Sequence, residues 1–328
     1  MINVSVVIPN FNGSAWLPGC LDALMGQSYQ DFEIILVDNG STDDSRRLLA
    51  ERYPQVQVLA FGANVGFAAA CNTGLRAARG RLIAFLNTDT VARPGWLAAL
   101  VATLDAAPPS VGGVAAKMLR MDDPTQIDDA GDTLSWHGFA HKRGHGQPGD
   151  RFTQPEPVFA PCAGAALYRR TFLEAVDGFD GRFFAYLEDI DLALRGHLVG
   201  YGFHFVPGAE VLHKGQGSAM PPAAYVRTIT RNRLLLFLKN IPLHLLIRHT
   251  GRLLYGQLYF AIAYRHPLST LRGYVDFLGL LPHTVATHRW MRGHITISVD
   301  ELDALLARES GEPPLRALLW KRLGRSRP

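Results

Sequence analysis

The chain contains the stretch Leu82-Ile83-Ala84-Phe85-Leu86-Asn87-Thr88-Asp89-Thr90, in which five apolar residues are followed by polar residues that include a single carboxylate. A short apolar run bounded by polar residues is typical of a buried β-strand. The polar residues then lie at the carboxyl end of that strand, which is the edge where open α/β sheets bind their ligands. The stretch therefore predicts a strand of an α/β sheet with a ligand site next to Asp89.

Asp89 is the only carboxylate in this stretch, and this limits the kind of ligand that it can hold. One carboxylate does not hold Mg²⁺ or Mn²⁺ alone, but a diphosphate supplies further oxygens in phosphate sites. Asp89 can also be read as the cap of a helix that opens at Pro94, although it lies some residues too early for that role. We predict a divalent cation, Mg²⁺ or Mn²⁺, together with a nucleoside diphosphate.

Strand-like and helix-like patterns alternate over the first 120 residues on both sides of this stretch. We expect strands over residues 4–8, 32–37, 56–61, 82–86 and 111–118, and helices over 15–25, from Ser41 or Thr42 to about 52, over 67–78, and from Pro94 onward. Strands that alternate with helices indicate βαβ units. The predicted fold class is α/β, with a Rossmann-like, mostly parallel sheet flanked by helices.

The pattern changes after residue 120. Residues 122–157 are polar and contain several Gly and Pro, and an irregular segment of this length is more often functional than a simple connection. Order is expected to return at 158–168, followed by helices near 171–175 and at about 187–199 and by strands at 203–206 and 209–212. Beyond Tyr225 the pattern is helical and amphipathic. We therefore divide the chain into a catalytic domain, 1–224, and a helical extension, 225–328.

The extension differs from the rest of the chain in charge. Residues 225–328 contain 16 basic and 6 acidic residues, a net charge of +10. Residues 1–224 contain 17 basic and 23 acidic residues, a net charge of −6. Basic amphipathic helices either pack on a neighbouring domain with their arginines in water or bind an anionic membrane surface. Both interpretations stay open. Nucleic acid is not an expected partner, because no nucleic-acid-binding motif accompanies the charge.

The three cysteines, Cys20, Cys71 and Cys162, cannot all pair and have no CxxC spacing. This pattern favours a reducing compartment without structural zinc. The first residues lack the features of a secretion signal, and no apolar stretch has the length that a membrane span needs. We expect a cytoplasmic protein whose membrane contact, if it has one, is peripheral and on the inner face.

Three other polar turns carry candidate chemistry. Asp38 can accept a hydrogen bond from the ring N–H of uracil or thymine, or can simply form a turn with Asn39 and Gly40. His213 follows a strand and can offer an imidazole to the metal ion or a hydrogen bond to phosphates. Asp189 can act as general base on an incoming hydroxyl group, and the aromatic residues before it suggest a pocket wall.

Asp191 and Arg195, which follow Asp189 closely, have a second interpretation. Their i,i+4 spacing is typical of an ion pair on a solvated helix face, where it contributes only about 0.3–0.5 kcal/mol. We keep that reading beside a functional one.

Several motifs in one order resemble those of inverting family 2 glycosyltransferases of the GT-A fold. The matching segments are Val6–Asn12, Val37–Asp43, Asn64–Ala68 with Asn72 and Gly74, Leu86–Asp89, Gly178–Asp180, Glu188–Asp191 with Arg195, His213–Ser218, and Arg231-Asn232. The resemblance covers roughly residues 3–240. Asn87 stands where the DxD metal motif of the family has its first aspartate, a variant that resembles the rhamnosyltransferase-like subgroup.

The resemblance implies roles for individual residues. Asp189 would be the catalytic base, and Asp89 and His213 would hold the metal ion. The nucleotide-sugar side would include Pro9, Asn10, Phe11, Asn12, Asp38, Asn64, Gly66, Asn72, Asn87 and Thr88. The acceptor side would include Glu188, Asp191, Arg195 and Trp136, with Asp128 and Asp129 as weaker candidates for touching either sugar.

The implied reaction is a single in-line displacement with inversion. The donor would be a dTDP- or UDP-sugar carrying rhamnose or a related hexose. The acceptor would be a hydroxyl group of a saccharide or of a lipid-linked cell-envelope glycan.

Other functions fit the residues less well. A sugar nucleotidyltransferase needs a Gly-rich loop with a basic residue after the first strand, where this chain has Asn10-Phe11-Asn12-Gly13. A dehydrogenase needs a GxGxxG motif at that place, and a glycosidase needs two carboxyl groups on either side of the scissile bond. A catalytically inactive GT-A-like binding protein is the main alternative, and the presence of Asp38, Asp89 and Asp189 argues against it.

Overall fold

The computed structural model describes residues 2–215 and 220–307 and divides into two compact units. Unit 1 lies within Met1–Thr133, Lys142–Ala219 and Ile295–Ile297, and unit 2 within Leu134–His141, Met220–His294 and Ser298–Pro328. The helical unit thus begins at Met220, five residues before the expected boundary. It also takes in Leu134–His141, because Phe139 in this segment packs against Tyr259 and Phe260.

The described part of the chain forms twelve strands. They are β1 (Val4–Asn10), β2 (Phe32–Asp38), β3 (Gln57–Ala60), β4 (Leu82–Leu86), β5 (Thr90–Ala92), β6 (Val111–Arg120), β7 (Ile127–Asp129), β8 (Asp132–Leu134), β9 (Ala140–Lys142), β10 (Glu156–Val158), β11 (Ala165–Arg169) and β12 (Gly202–His213). Ten of them build one sheet with the order β10-β12-β6-β11-β4-β1-β2-β3, in which β5 pairs with β12 and β7 with β6. β8 and β9 pair with each other as a separate ribbon.

Helices flank the sheet in unit 1 and form most of unit 2. Unit 1 contains α1 (Leu17–Met25), α2 (Ser45–Arg52), α3 (Phe67–Ala77), α4 (Trp96–Ala106), α5 (Arg170–Ala175) and α6 (Glu188–Leu198). Unit 2 contains α7 (Pro222–Asn240), α8 (Leu243–Arg248), α9 (Thr250–Tyr264), α10 (Pro267–Arg292) and α11 (Val299–Leu306).

The parallel part of the sheet follows directly from the buried apolar runs. β1 pairs in parallel with β2 and with β4, and β2 pairs in parallel with β3. The side chains of Val4, Val6, Val7 and Ile8 on β1 are fully buried, as expected for a central strand that is covered on both faces. Because these strands run in one direction, their carboxyl ends share one edge. The predicted α/β class is confirmed.

The other part of the sheet is mixed. β11 lies antiparallel between β4 and β6, while β12 runs parallel to β6. β12 replaces the two separate strands that we expected around residue 207. It remains one strand because a register shift between Val206 and Glu210 accommodates Pro207, which has no N–H to donate to the ladder.

The start of α2 also differs from the prediction. The helix begins at Ser45, and its N-cap is Asp44 rather than Ser41 or Thr42. The Ser41 hydroxyl oxygen is used elsewhere, because it accepts hydrogen bonds from the Asn10 side chain and the Asn12 backbone. The polar turn after β2 is therefore built into the sheet edge instead of the helix.

Candidate functional site

Asn10 and Asp38 mark the carboxyl ends of β1 and β2, where they face each other in the strand register. The Asn10 amide donates hydrogen bonds to Asp38 Oδ1 at 3.2 Å and to Ser41 Oγ at 3.1 Å. Asn12 has a left-handed backbone with φ of 53°, and its Oδ1 accepts the N–H of Thr42 at 2.7 Å. The loops after β1 and β2 are thus held together by hydrogen bonds of their own side chains.

The Asp38 carboxylate is fully buried and already has a cationic partner. Arg46 Nε lies 2.6 Å from Asp38 Oδ2, and the Arg46 side chain is half exposed. Arg46 was not predicted from the sequence, because it lies in the first turn of α2 and has the pattern of an ordinary solvated residue. Contact between Asp38 and a pyrimidine base stays a prediction.

Asn64 and Gly66 shape the chain before α3. Asn64 Oδ1 accepts hydrogen bonds from the Asn39 side chain and from the Gly66 N–H, each at 2.9 Å. Gly66 has a φ of 94°, and a Cβ there would lie 2.6 Å from the carbonyl oxygen of Phe184. A glycine is therefore required at this close approach.

Asn72 has a similar structural part in α3. Its side-chain Nδ2 donates to the Phe179 carbonyl oxygen at 2.6 Å, and its Oδ1 accepts the Phe179 N–H at 2.9 Å. The side chain predicted to touch the nucleotide sugar thus holds the loop that follows α5.

Asp89 and His213, the two predicted metal ligands, are brought together by a short strand pair. β5 begins directly after Asp89 and pairs antiparallel with the end of β12, so that Thr90 lies opposite His213. His213 Nε2 lies 3.5 Å from Asp89 Oδ1, and both side chains are buried. Gln216, Gly217 and Ser218, the later part of the His213 motif, lie outside the described residues.

A third carboxylate orients His213. Asp128 Oδ2 lies 2.7 Å from His213 Nδ1 and 2.6 Å from Lys142 Nζ. Burial opposes the charged imidazolium, but the hydrogen bonds to Asp128 and Asp89 outweigh it and raise the pKa of His213 to about 9. Burial likewise opposes the Asp128 carboxylate, yet His213 and Lys142 lower its pKa. Asp128, a weaker candidate in the sequence, is therefore the partner that fixes the histidine ring.

This arrangement fits a divalent cation. Asp89 offers a carboxylate oxygen, and His213 offers Nε2 because Nδ1 is held by Asp128. A carboxylate behind a histidine ligand is a common feature of metal sites. Two protein ligands leave the other coordination positions to diphosphate oxygens and water, as Mg²⁺ and Mn²⁺ sites in phosphate-binding proteins allow.

The raised pKa of His213 predicts a pH dependence of stability in the metal-free protein. A group whose pKa is higher in the folded state stabilises the fold fully below its unfolded value and loses this contribution as the pH rises through the folded value. We expect the stability advantage of the wild type over His213→Gln to fall by about 3 kcal/mol between pH 6 and pH 10. Urea unfolding with EDTA measures it; a difference independent of pH would contradict the assigned charge pair.

Asp189, the predicted base, begins helix α6 together with Glu188. Its Oδ1 accepts the N–H of Ile190 at 2.8 Å, and its Oδ2 lies 3.4 Å from the N–H of Ala163. Burial raises the pKa of Asp189, although these two N–H groups lower it in part. A carboxylate whose pKa is moved toward neutrality is a better general base.

The backbone before Asp189 is strained. Phe184, Tyr186 and Leu187 all have positive φ values, of 64°, 68° and 69°. Bulky residues rarely adopt this conformation, and such outliers cluster at functional sites. The sequence gives no direct signal of this strain.

Further carboxyl groups surround Asp189. Burial and then the charge of Asp189 raise the pKa of Glu188, whose Oε2 has no hydrogen-bond partner among the described residues. Burial raises the pKa of Asp129 to about 6, and burial and then the charges of Asp129 and Asp189 raise the pKa of Asp132. Asp132 was not predicted from the sequence, where its only signal is its closeness to Asp128 and Asp129.

Asp129 and Asp132 also belong to a second group of side chains that could hold a metal ion. Together with Cys162 they place one ligand atom each within 4.8 Å of one another. Lys142 already supplies a positive charge near this group, since burial opposes its charged form but the carboxylates of Asp128 and Asp129 raise its pKa.

Asp191 and Arg195, two of the four residues predicted on the acceptor side, form an ion pair inside the protein. Asp191 is fully buried, and Arg195 Nε donates to its Oδ2 at 2.8 Å. Arg195 also donates to the carbonyl oxygens of Val176 and Gly178, so this pair ties α6 to the loop after α5. The alternative of a solvated helix face is wrong, because both side chains are buried, whereas a role on the acceptor side stays a prediction.

Trp136 also lies in a core rather than in a pocket. Its side chain is 1% exposed and stacks on His249 with 3.9 Å between ring centroids. Its Nε1 donates to Asp303 at 2.8 Å. We do not expect Trp136 to contact the acceptor, because its side chain is almost completely buried.

Comparisons with known sequences give a consistent family match. The model for glycosyl transferase family 2 matches residues 5–177. An N-acetylglucosaminyl-diphospho-decaprenol L-rhamnosyltransferase of Mycobacterium tuberculosis is 29% identical over 253 residues, which are 67% of this chain and 79% of that protein. The O-antigen biosynthesis protein RfbC of Myxococcus xanthus is 29% identical over 68% of this chain and 18% of its own length. An uncharacterized glycosyltransferase of Nostoc, alr2836, is 38% identical over 103 residues, which are 30% of this chain and 32% of that protein.

Solved structures share the fold at low sequence identity. GalNAc-T7 with UDP, GalNAc and Mn²⁺ has a TM-score of 0.67 and 18% identity, over 93% of this chain and 57% of that one. TarS 1–349 of S. aureus in complex with UDP-GlcNAc has a TM-score of 0.59 and 15% identity, and the match covers 98% of this chain and 92% of that one. PcManGT of Pyrobaculum calidifontis in complex with GDP-Man and Mn²⁺ has a TM-score of 0.51 and 19% identity, and the match covers 98% of this chain and 87% of that one.

Proposed function

Because this chain belongs to glycosyltransferase family 2 and has the GT-A fold, we propose that it transfers a sugar with inversion from a nucleotide sugar to a hydroxyl group. The family assignment agrees with the motifs in the sequence, and the enzyme is a transferase. The observation that carries the proposal is that Asp89 and His213 form a buried ligand pair while Asp189 has the raised pKa of a general base.

The reaction is a single displacement. Asp189 accepts the proton of the acceptor hydroxyl group, whose oxygen attacks the anomeric carbon as the bond to the diphosphate breaks. The sugar leaves with inverted configuration on the acceptor, and the nucleoside diphosphate departs. Asp89 and His213 would hold a divalent cation, whose positive charge would stabilise the departing diphosphate.

The chain orients the donor at the carboxyl edge of the parallel strands. Asn10, Asn12 and Asp38 hold the nucleoside, and Asp38 accepts the ring N–H of a pyrimidine. The locked loops after β1 and β2 support this role, because a preformed site does not lose binding energy to the ordering of loops.

The proposed donor is a dTDP- or UDP-sugar, with rhamnose as the first choice of sugar. The mycobacterial relative is named as an L-rhamnosyltransferase that acts on a lipid-linked diphosphate, which supports a rhamnosyl donor and a lipid-linked glycan acceptor. The O-antigen relative supports a place in cell-envelope polysaccharide synthesis. A saccharide acceptor without lipid is the other candidate.

The proposed place of action is the inner face of the membrane, with peripheral contact through unit 2. No helix among the described residues has both the length and the apolar character needed to cross a bilayer. Helix α10 exposes Leu268, Leu271, Val275 and Leu278 at helical spacing. Such a row supports contact with the lipid interface.

Nucleotide binding gives the direct test of the donor site. A ligand that binds only the folded state raises its stability, by about 2.7 kcal/mol at a concentration of 100 Kd. We expect dTDP or UDP to raise the melting temperature in the presence of Mg²⁺ or Mn²⁺. Asp89→Asn should lose the metal-dependent part of this shift.

The matched control is Asp122→Asn, which changes an exposed carboxylate of the same unit. It should behave as the wild type does. A preference for GDP would overturn the role of Asp38, and no response to dTDP, UDP, GDP or ADP would favour a catalytically inactive binding protein.

A further inference from the structure

The segment Phe183–Leu187 leads directly into helix α6, which carries Asp189, and we call this segment the base turn. It opens with a γ-turn: Phe184 has φ of 64° and ψ of −66°, and the Ala185 N–H donates to the Phe183 carbonyl oxygen at 2.8 Å. A γ-turn of this sign is rare and strained, and a bulky side chain such as that of Phe184 adds to the strain. The chain thus accepts strain just ahead of the proposed base.

The strain continues up to the N-cap of the helix. Tyr186 and Leu187 have φ of 68° and 69°, although neither is a glycine or an asparagine, the residues that adopt this conformation most readily. Leu187 is the N-cap of α6, and its carbonyl oxygen accepts the Asp191 N–H at 2.9 Å in the first turn. The left-handed conformation of Leu187 therefore sets the direction in which α6 starts, and with it the position of Asp189.

Strained conformations persist only where the surrounding structure holds them, and the base turn is held from the donor side. The Phe184 carbonyl oxygen accepts the Ala68 N–H at 3.3 Å, in the first turn of α3. Gly66 passes so close that a Cβ there would lie 2.6 Å from the same oxygen. Asn64 Oδ1 in turn accepts the Gly66 N–H and a hydrogen bond from Asn39, which follows β2. Hydrogen bonds thus connect the base turn to the loop after β2, a part of the proposed donor site.

Both ends of the base turn are also anchored. Phe183 is fully buried, and the Phe184 N–H donates to the Gly181 carbonyl oxygen at 3.2 Å. Beyond the turn, Asp189 Oδ2 lies 3.4 Å from the Ala163 N–H. An ordinary connection needs no strained bulky residues, since a glycine adopts a positive φ without strain. Strain that is held in place by contacts on every side is typical of a pre-organised functional site.

We propose that the base turn positions Asp189 for proton transfer, with Leu187 as the positioning residue that directs the carboxylate toward the acceptor hydroxyl group. The inference rests on the proposed function and deepens it, because it states what fixes the general base relative to the donor. A misplacement of about 1 Å can lower the rate of an enzyme by about 10²-fold. A backbone that is confined to one conformation avoids this loss.

Two substitutions at Leu187 separate the backbone conformation from the side chain. Leu187→Ala and Leu187→Gly both remove the branched end of the side chain, but alanine keeps the Cβ that restricts φ, whereas glycine frees the backbone. We expect kcat for sugar transfer to be lower by about tenfold or more in Leu187→Gly than in Leu187→Ala, with the same KM for the nucleotide sugar. The metal-dependent rise in melting temperature with dTDP or UDP should be equal in both. Equal kcat values in the two variants would overturn the proposal.

A matched control relieves the same kind of strain at another place in unit 1. Asp177 has φ of 59° and is exposed after the end of α5. Asp177→Gly should leave kcat close to the wild-type value, because the residue is not next to the start of α6. A loss of kcat as large as that in Leu187→Gly would mean that added flexibility anywhere lowers the rate, and would overturn the role of Leu187.

Amide hydrogen exchange gives a readout that does not depend on activity. Peptides that contain the base turn and the first turn of α6 should exchange at least about tenfold faster in Leu187→Gly than in Leu187→Ala, because local opening becomes easier when the backbone is free. Equal exchange in the two variants would contradict the claim that Leu187 confines this backbone.

Two further comparisons separate the causes of failure. If Leu187→Gly does not fold, Tyr186→Gly against Tyr186→Ala gives the same comparison at the neighbouring residue with positive φ. Transfer by the wild type with equal kcat in the paired variants would overturn the base turn alone. A wild type with neither transfer nor a nucleotide-dependent shift would overturn the proposed function, and this inference with it.

Discussion

Asp189→Asn is expected to lower the rate of sugar transfer by about 10²–10⁴-fold, the usual contribution of a general base. The amide keeps the shape of the carboxylate but cannot accept the proton of the acceptor hydroxyl group. Nucleotide binding should persist, because the proposed donor site consists of Asp89, His213 and the loops after β1 and β2, none of which is changed. Single-turnover transfer and the metal-dependent thermal shift measure the two properties separately.

Asp122→Asn serves as the control for this experiment, since it removes an exposed carboxylate from the same unit. Transfer at a near wild-type rate in Asp189→Asn would show that another group is the base. The activity of the wild type should rise with pH through the raised pKa of Asp189, because only the ionised carboxylate accepts a proton.

Arg195→Met is expected to destabilise the fold by about 3–5 kcal/mol, the range observed when one partner of a buried ion pair is removed. Asp191 is fully buried, and the substitution would remove the buried cation that pairs with it at 2.8 Å. The substitution also removes the hydrogen bonds to the carbonyl oxygens of Val176 and Gly178. The free energy of unfolding from urea titration measures the loss.

A double variant separates the charge from the packing. Asp191→Leu with Arg195→Met should be more stable than Arg195→Met alone, because no unpaired charge remains buried. On the surface of the same unit, Arg47→Met removes an exposed i,i+4 partner of Glu51 and should cost about 0.5 kcal/mol or less. A similar loss in Arg47→Met and Arg195→Met would contradict the structural role assigned to Asp191 and Arg195.

The sequence by itself determined the parallel part of the fold. Strand β4 was predicted at residues 82–86 and is found there, and the helix expected at 67–78 is found at Phe67–Ala77. These elements are readable because a buried strand needs a continuous apolar run and a helix needs a periodic one, and both patterns are local. The position of Asp89 at the sheet edge follows from the same local signal.

The pairing of Asp89 with His213 needed more than a local pattern. Motif resemblance named both residues, but their contact is made by the antiparallel pairing of β5 with the end of β12. Asp128 and Lys142 join them from a segment that had looked irregular, across 85 residues of sequence in the case of Asp128 and His213. Such contacts depend on the topology of the whole sheet, which no short window of sequence contains.

Burial accounts for the remaining differences between the roles expected from the sequence and those found in the structure. Asp191 and Arg195 have the spacing of a surface pair, and Trp136 has the chemistry of a sugar-stacking residue, but all three are buried with structural partners. The sequence determined which side chains were available and on which elements they lie. Only the tertiary structure decided which of them are removed from water, because desolvation depends on neighbours that are distant along the chain.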